Sequence, residues 1–214
     1  MKAKILSLNV GLPRTIEWNG KSIETSMLKS PVGELHVREL SIDGDKFADP
    51  QFHGKPDSVL YAFGADALND YFARLGRSYV FGDLGENLTL DRLDEREVSV
   101  GDVFQIGGVI AQATFPRIPC AKINFRLENP VGQKTMIETR RSGVYFRILK
   151  PGVIKSSDSF ERVTPAKVAF TIAEVYERMV GGVKVTDADR ERVLANGAFP
   201  EDRIAKWFKA PTSN

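Results

Sequence analysis

The sequence predicts a mainly β fold with helical additions, a barrel or sandwich of short strands followed by three short helices. Three observations carry this. Up to about residue 160, short apolar runs alternate with glycine and proline, the pattern of an antiparallel sandwich or barrel rather than a doubly wound sheet. Gly107-Gly108 joins two strand-like runs, Val98–Ile106 and Val109–Phe115, as a tight hairpin does. The last fifty residues instead show two helix-start patterns, Thr171…Glu174 and Thr186…Asp189, which match a capping box.

Taken in order, Lys4–Val10 reads as a first strand ended by Gly11 and Pro13. Thr25–Val32 and Glu34–Ile42 flank Gly33 as a hairpin would. In the second run Leu35 and Val37 alternate in one phase and Leu40 and Ile42 in the other, which predicts a bulge. Ser58–Phe63 is an apolar run of buried-strand type. Ala65–Leu75 switches to helical spacing, with Leu68, Phe72 and Leu75 on one face and Gly76 beyond the end. Asn87–Leu90 and Gly143–Leu149 complete the strand signals. The tail predicts helices from Thr171 to about Val180, from Thr186 to Asn196-Gly197, and from Pro200 through the apolar Ile204, Trp207 and Phe208. None is long enough to be stable alone, so they are expected to pack together or on the β unit. The expected division is 1–164 for the β domain and 165–214 for the helical appendage.

The 214 residues suffice for one sizeable core. No run approaches the length of a membrane span, and the apolar stretch near the N-terminus is too short and interrupted for an export signal. With a single cysteine, this predicts a soluble cytoplasmic protein with no membrane partner. The net charge is +2. Arg117 to Lys150, however, holds eight basic and two acidic residues, a local +6 that leaves −4 for the rest of the chain. Such a patch steers anions. The excess is local and the pI of 8.6 only mildly basic, so no nucleic-acid polymer is expected as partner.

Cys120 lies in Phe115-Pro116-Arg117-Ile118-Pro119-Cys120-Ala121-Lys122. A lone thiol cannot form an internal disulfide or a multi-cysteine zinc site. It can serve as a nucleophile, a persulfide carrier or a single metal ligand, or be a small buried hydrophobe, the commoner fate of a free cysteine. Arg117 and Lys122 favour the thiolate. Other polar clusters sit where strands begin or end: His53-Gly54-Lys55-Pro56-Asp57, Gly82 to Asn87, and Gly101-Asp102, which reads as a turn. A hydrolase triad of Cys120, His53 and Asp57 would require that they meet, which their spacing does not show. His36 reads as a surface residue. No P-loop, dinucleotide fingerprint or iron–sulfur cysteine set is present.

The order of these motifs resembles the MOSC domain, named for the C-terminal part of molybdenum cofactor sulfurases. His53-Gly54…Asp57, Gly85-Glu86-Asn87, Gly101-Asp102, Pro116-Arg117…Pro119-Cys120…Lys122, and Gly143…Tyr145…Arg147 followed by Gly152 keep the family's sequence. The likeness spans roughly Lys4 to Phe160, and with the three helices it is similar to the bacterial YiiM type. The resemblance implies a β-barrel that binds molybdenum cofactor (molybdenum on molybdopterin), with Cys120 as sulfur ligand to the metal. It implies that His53, Asn87, Arg117, Lys122, Tyr145 and Arg147 line the cofactor pocket, and that Glu86 or Asp57 moves protons. It further implies reduction of a small N-hydroxylated substrate, with electrons from a separate reductase. Departures from the family occur at Lys55, Ser58, Ala121 and Val144, which leave the metal ligand intact and alter the substrate side. Two other readings stay open: a sulfur carrier holding a Cys120 persulfide for metal–sulfur cofactor assembly, and a non-catalytic binding module whose basic rim holds an anionic ligand or RNA, with Cys120 inert. The helices could bind a partner, self-associate into a homodimer or cap the barrel.

Overall fold

A computed structural model describes residues 1–48 and 55–208. The chain begins with strands β1 (Lys2–Val10), β2 (Arg14–Trp18), β3 (Lys21–Thr25), β4 (Ser30–Val32) and β5 (Glu34–Val37). A short 3₁₀ turn at Pro56–Ser58 leads into β6 (Leu60–Gly64), helix α1 (Ala65–Arg74) and β7 (Leu88–Leu90). Strands β8 (Val103–Ile106) and β9 (Val109–Pro116) form a hairpin. Helices α2 (Lys122–Leu127) and α3 (Gly132–Thr139) precede β10 (Val144–Lys150), β11 (Gly152–Lys155) and β12 (Ser159–Thr164). The tail holds α4 (Ile172–Met179), α5 (Asp187–Asn196) and α6 (Glu201–Arg203), which runs on as a π-helical turn to Phe208.

Seven strands close a barrel in the order β12-β8-β9-β10-β6-β7-β1, and β1 pairs back to β12 to complete the ring. Closure leaves no free edge around the ring. The β6–β7 pairing is parallel, the other barrel pairings antiparallel. A parallel pair needs a crossover, and α1 supplies it. Inside the barrel Phe104, Phe146 and Phe160 meet with ring centroids 4.5 to 5.8 Å apart. Burial of such rings is the main stabilising contribution here.

Strand β6 explains its own apolar run. Leu60 and Ala62 face the barrel core, whereas Tyr61 and Phe63 face a second cluster with Leu68, Tyr71 and Phe72 of α1 and Ile123 of α2. A strand covered on both faces has no polar phase.

The tail helices start where the capping residues predict. Thr171 and Glu174, and Thr186 and Asp189, each make a reciprocal capping box, and Gly197 ends α5 in a left-handed conformation. Phe170, Val175, Val193, Phe199 and Phe208 join the same buried cluster as the barrel residues. Asp102 ties the two together. It is buried and accepts from Ser99 N, Ala166 N and Arg162.

Three sequence expectations are corrected. β4 and β5 flank Gly33 without pairing to each other; β4 joins β1 and β5 joins β11. The hairpin lies earlier, at β2–β3, across Asn19 and Gly20, both at positive φ, the backbone an Asn-Gly turn favours. The phase change after Val37 is a reversal rather than a bulge: Val37 bridges Ile42, which is buried, while Leu40 at the tip is exposed. Val98 to Asp102 is a turn that ties back on itself through Asp102, so the strand starts only at Val103. No described helix is long and apolar enough to cross a membrane.

Candidate functional site

The register of three neighbouring strands builds one wall of a site. Tyr145 of β10 stands opposite Tyr61 of β6 on one side and Phe115 of β9 on the other. Their ring centroids are 4.8 and 5.1 Å apart. Leu60 and Ala62, the neighbours of Tyr61, point into the barrel core, so this aromatic row lies on the barrel's outer face. Against it sits a cavity of about 490 Å³.

Strand β9 ends at Pro116 and delivers the Arg117–Lys122 segment directly to the cavity. Cys120 is half-buried on its wall, and its carbonyl accepts from Ile123 N as α2 begins. Arg117 is 7 % exposed. It donates to Leu84 O and to Met27 Sδ at 3.4 Å, and its guanidinium carbon lies 5.2 Å from the Tyr61 ring centroid. Burial works against its charge, but Tyr61, Tyr145 and Cys120, each negative when ionised, more than compensate, and its pKa stands above the ordinary arginine value. Lys122 also lines the cavity, and its Nζ donates to Glu24 O at 3.1 Å, holding α2 to the β2–β3 hairpin.

The loop before β7 forms the opposite support. Asn87 lines the cavity, accepts from Tyr61 N at 3.2 Å, and donates to Asn9 O at 3.1 Å and to Asp45 Oδ2 at 3.0 Å. Glu86 lies behind it, fully buried. Its carboxylate accepts from Gly82 N (2.6 Å), Leu84 N (3.1 Å) and Thr89 Oγ1 (3.0 Å). Burial raises its pKa, and the N–H donors oppose that shift. Gly82 has φ +92°, and a β-carbon there would lie 2.8 Å from Lys29 O. Only glycine lets this loop pass so close to the Lys29 backbone. By fixing Leu84, Glu86 also fixes the carbonyl that receives Arg117.

The cavity thus gathers Cys120, Arg117, Lys122, Asn87 and Tyr145 of the predicted set. Asp57 and Arg147 do not line it. They pair with each other at 2.7 Å, and Arg147 also donates to Ala198 O at 2.8 Å, which secures the tail to the barrel. Glu86 is enclosed by its own loop. His53 lies outside the described residues. Sequence reasoning missed Lys29, Lys46, Tyr61, Ser26 and Arg203, all on the cavity wall. Lys29 and Lys46 are isolated cations in sequence, and Arg203 sits in a helix whose amphipathic pattern conceals any second role.

Among the described residues no group of three His, Cys, Asp or Glu side chains could hold a metal ion alone. The donor set on the wall is instead one thiol, Cys120, with cationic neighbours; the thioether of Met27, also on the wall, already accepts from Arg117. That set fits a heavy metal carried on an anionic organic ligand: the thiolate supplies the metal bond, and lysine and arginine meet phosphate. Two buried donors on the wall, Ser26 Oγ and Arg203 Nε, lack partners in the described protein. Such groups normally find one.

Comparison with known proteins bears on the same region. The MOSC domain family is matched over residues 49–161. The chain is 30 % identical to the uncharacterised protein YflK of Bacillus subtilis, over 96 % of this chain and 93 % of that one. It is 32 % identical to the protein YiiM of Escherichia coli, over 62 % of this chain and 60 % of that one. A protein of Gibberella moniliformis named "Reductase" is 32 % identical over 59 % of this chain and 23 % of its own length. The crystal structure of YiiM from Geobacillus stearothermophilus superposes with a TM-score of 0.79 at 26 % identity, over 96 % of this chain and 97 % of that one.

Proposed function

The chain belongs to the MOSC domain family, and from that premise we propose that it is a molybdenum-cofactor-dependent reductase of N-hydroxylated bases and related compounds. One observation carries the proposal: the sole thiol of the chain, Cys120, stands on the wall of a cavity of about 490 Å³ that is lined by cations and backed by an aromatic row. The likeness to YiiM and to a protein named as a reductase supports the same direction.

In this reading Cys120 Sγ is the protein's ligand to molybdenum. Arg117, Lys46 and Lys122 balance the negative charge of the ligand around it, whereas the charge of Lys29 is already met by Asp45. Tyr61, Tyr145 and Phe115 offer flat faces to a planar base. Burial raises the Tyr145 pKa, which keeps its phenol protonated as a donor for the ligand. Glu86 holds the Gly82–Thr89 loop in place, and Asp57 anchors Arg147; both act as supports rather than as proton carriers. When bound, the cofactor supplies two-electron transfer. The overall conversion takes the N-hydroxylated compound, two electrons and two protons to the amine and water. A separate reductase supplies the electrons.

The alternative is a sulfur carrier, favoured by the half-buried, reachable position of Cys120. Its thiolate would attack the outer sulfur of a donor persulfide, and the donor's inner sulfur would leave as thiolate.

Elemental analysis of protein made in a cofactor-producing host separates the two. Molybdenum near one per chain, lost in Cys120→Ser, supports the reductase. A chain without molybdenum that carries a persulfide on Cys120 supports the carrier instead.

A further inference from the structure

Among the described residues, the cavity wall carries five cationic side chains, Lys29, Lys46, Arg117, Lys122 and Arg203, and no carboxylate. Four of them belong to the barrel or the loops around it. Arg203 comes from α6, beyond the end of the MOSC match at residue 161.

Its setting is that of a prepared donor. The guanidinium carbon lies 4.3 Å from the centroid of the Phe115 ring. That stack orients the guanidinium plane and leaves its edge for hydrogen bonds. Nε is buried and finds no hydrogen-bond partner among the described residues. Asp202 Oδ1 stands 3.9 Å away, too far for one, and the other oxygen of that carboxylate is taken by Lys55 Nζ at 2.7 Å. The Lys55–Asp202 pair and the Arg147 bond to Ala198 O hold this part of the tail against the barrel. Ser26 Oγ, on the hairpin side of the same cavity, is a second buried donor without a partner among the described residues. A buried donor left unmet is destabilising, and a ligand with oxygen acceptors removes that penalty.

We propose that Arg203 binds an oxyanion, a phosphate or carboxylate on the molecule that fills the cavity, so that the helical tail completes the pocket. The inference rests on the reading that this cavity is the ligand site. The anion could belong to the cofactor's phosphate or to a negatively charged substrate.

The test uses the full chain purified from a host that cannot make the cofactor, titrated with inorganic phosphate and followed by calorimetry and thermal unfolding. Phosphate should bind the wild type and raise its melting temperature. Arg203→Gln should weaken that binding at least tenfold, and Arg203→Lys less, since the charge remains. Arg203→Lys also serves where Arg203→Gln does not fold. No phosphate binding by the wild type, or equal binding by the variants, overturns the proposal.

Protein from a cofactor-producing host then identifies the source of the anion. Loss of molybdenum in Arg203→Gln assigns the contact to the cofactor. Full molybdenum with a raised KM and unchanged kcat for an anionic N-hydroxylated compound assigns it to substrate. A variant unaltered in both respects overturns the proposal. A wild type without molybdenum whose phosphate binding still depends on Arg203 would sink the reductase reading and leave this one standing.

Discussion

Lys29 and Asp45 form a buried ion pair, Nζ to Oδ2 at 2.6 Å, with side chains only 7 % and 4 % exposed. Asp45 also accepts from Gly11 N at 2.7 Å and from Asn87 Nδ2 at 3.0 Å. One carboxylate thus links the end of β1, a cavity lysine and the loop before β7.

Asp45→Asn should therefore destabilise the protein by about 3–5 kcal/mol, because it strands a buried cation. Burial already lowers the Lys29 pKa and Asp45 opposes that shift. Unfolded lysine keeps its proton to about 10.5, so between the folded value and that limit the unfolded chain binds more protons and stability rises with pH. Without Asp45 the window extends to lower pH. Urea unfolding from pH 7 to 10 should show the variant's deficit shrinking as pH rises.

Glu86→Gln should cost about 1–3 kcal/mol, since either oxygen of the carboxyl group, ionised or protonated, can accept a hydrogen bond and the amide nitrogen cannot. Burial raises the Glu86 pKa above its unfolded value. Its contribution is therefore greatest below the unfolded value and is lost as pH rises through the folded one. The gap in urea midpoint between wild type and variant should be widest near pH 4.5 and narrower at pH 7. A gap that widens toward neutral pH would contradict this account.

Arg117→Lys keeps a charge but gives up the contact with the Leu84 carbonyl and the stacking on Tyr61. Molybdenum occupancy of protein from a cofactor-producing host should fall severalfold while circular dichroism stays native. Undiminished occupancy would show that Arg117 serves the loop rather than the ligand.

Thr171→Ala and Thr186→Ala each remove the N-cap side of a reciprocal capping box. Each should cost about 1 kcal/mol, read as a drop in urea midpoint. Glu174 also meets Arg192 of α5 at 3.0 Å, so the double variant should depart from additivity.

What the sequence revealed depended on whether the signal was local. Capping boxes, the Gly107-Gly108 hairpin and the helical face of Leu68 and Phe72 are spelled out within a few residues, and the structure contains each. The Asn19-Gly20 turn is equally local, but its flanking runs, Arg14–Trp18 and Lys21–Thr25, are too short and too polar to read as strands. Helices α2 and α3 are short, separated by Pro130, and rest on the α1 cluster rather than on their own periodicity. In the site, the Arg117–Lys122 segment announced itself by composition. Lys29 and Arg203 did not, because their places on the wall arise from tertiary contacts: Lys29 with Asp45, and Arg203 with Phe115.

The pairing of β1 with β12 sets a timetable for folding. Lys2, Ala3 and Lys4 find Glu161, Phe160 and Ser159 as partners, so the ring cannot shut until the ribosome has released nearly the whole barrel. Before then β1 can pair only with β4 and β7, and its far edge stays open to other chains. Joining strands so distant in sequence is slow, and that interval is when the nascent protein is most exposed to aggregation. A truncation that stops before Ser159 should give an open sheet that sticks to itself, even though every residue of the Arg117–Lys122 segment is present.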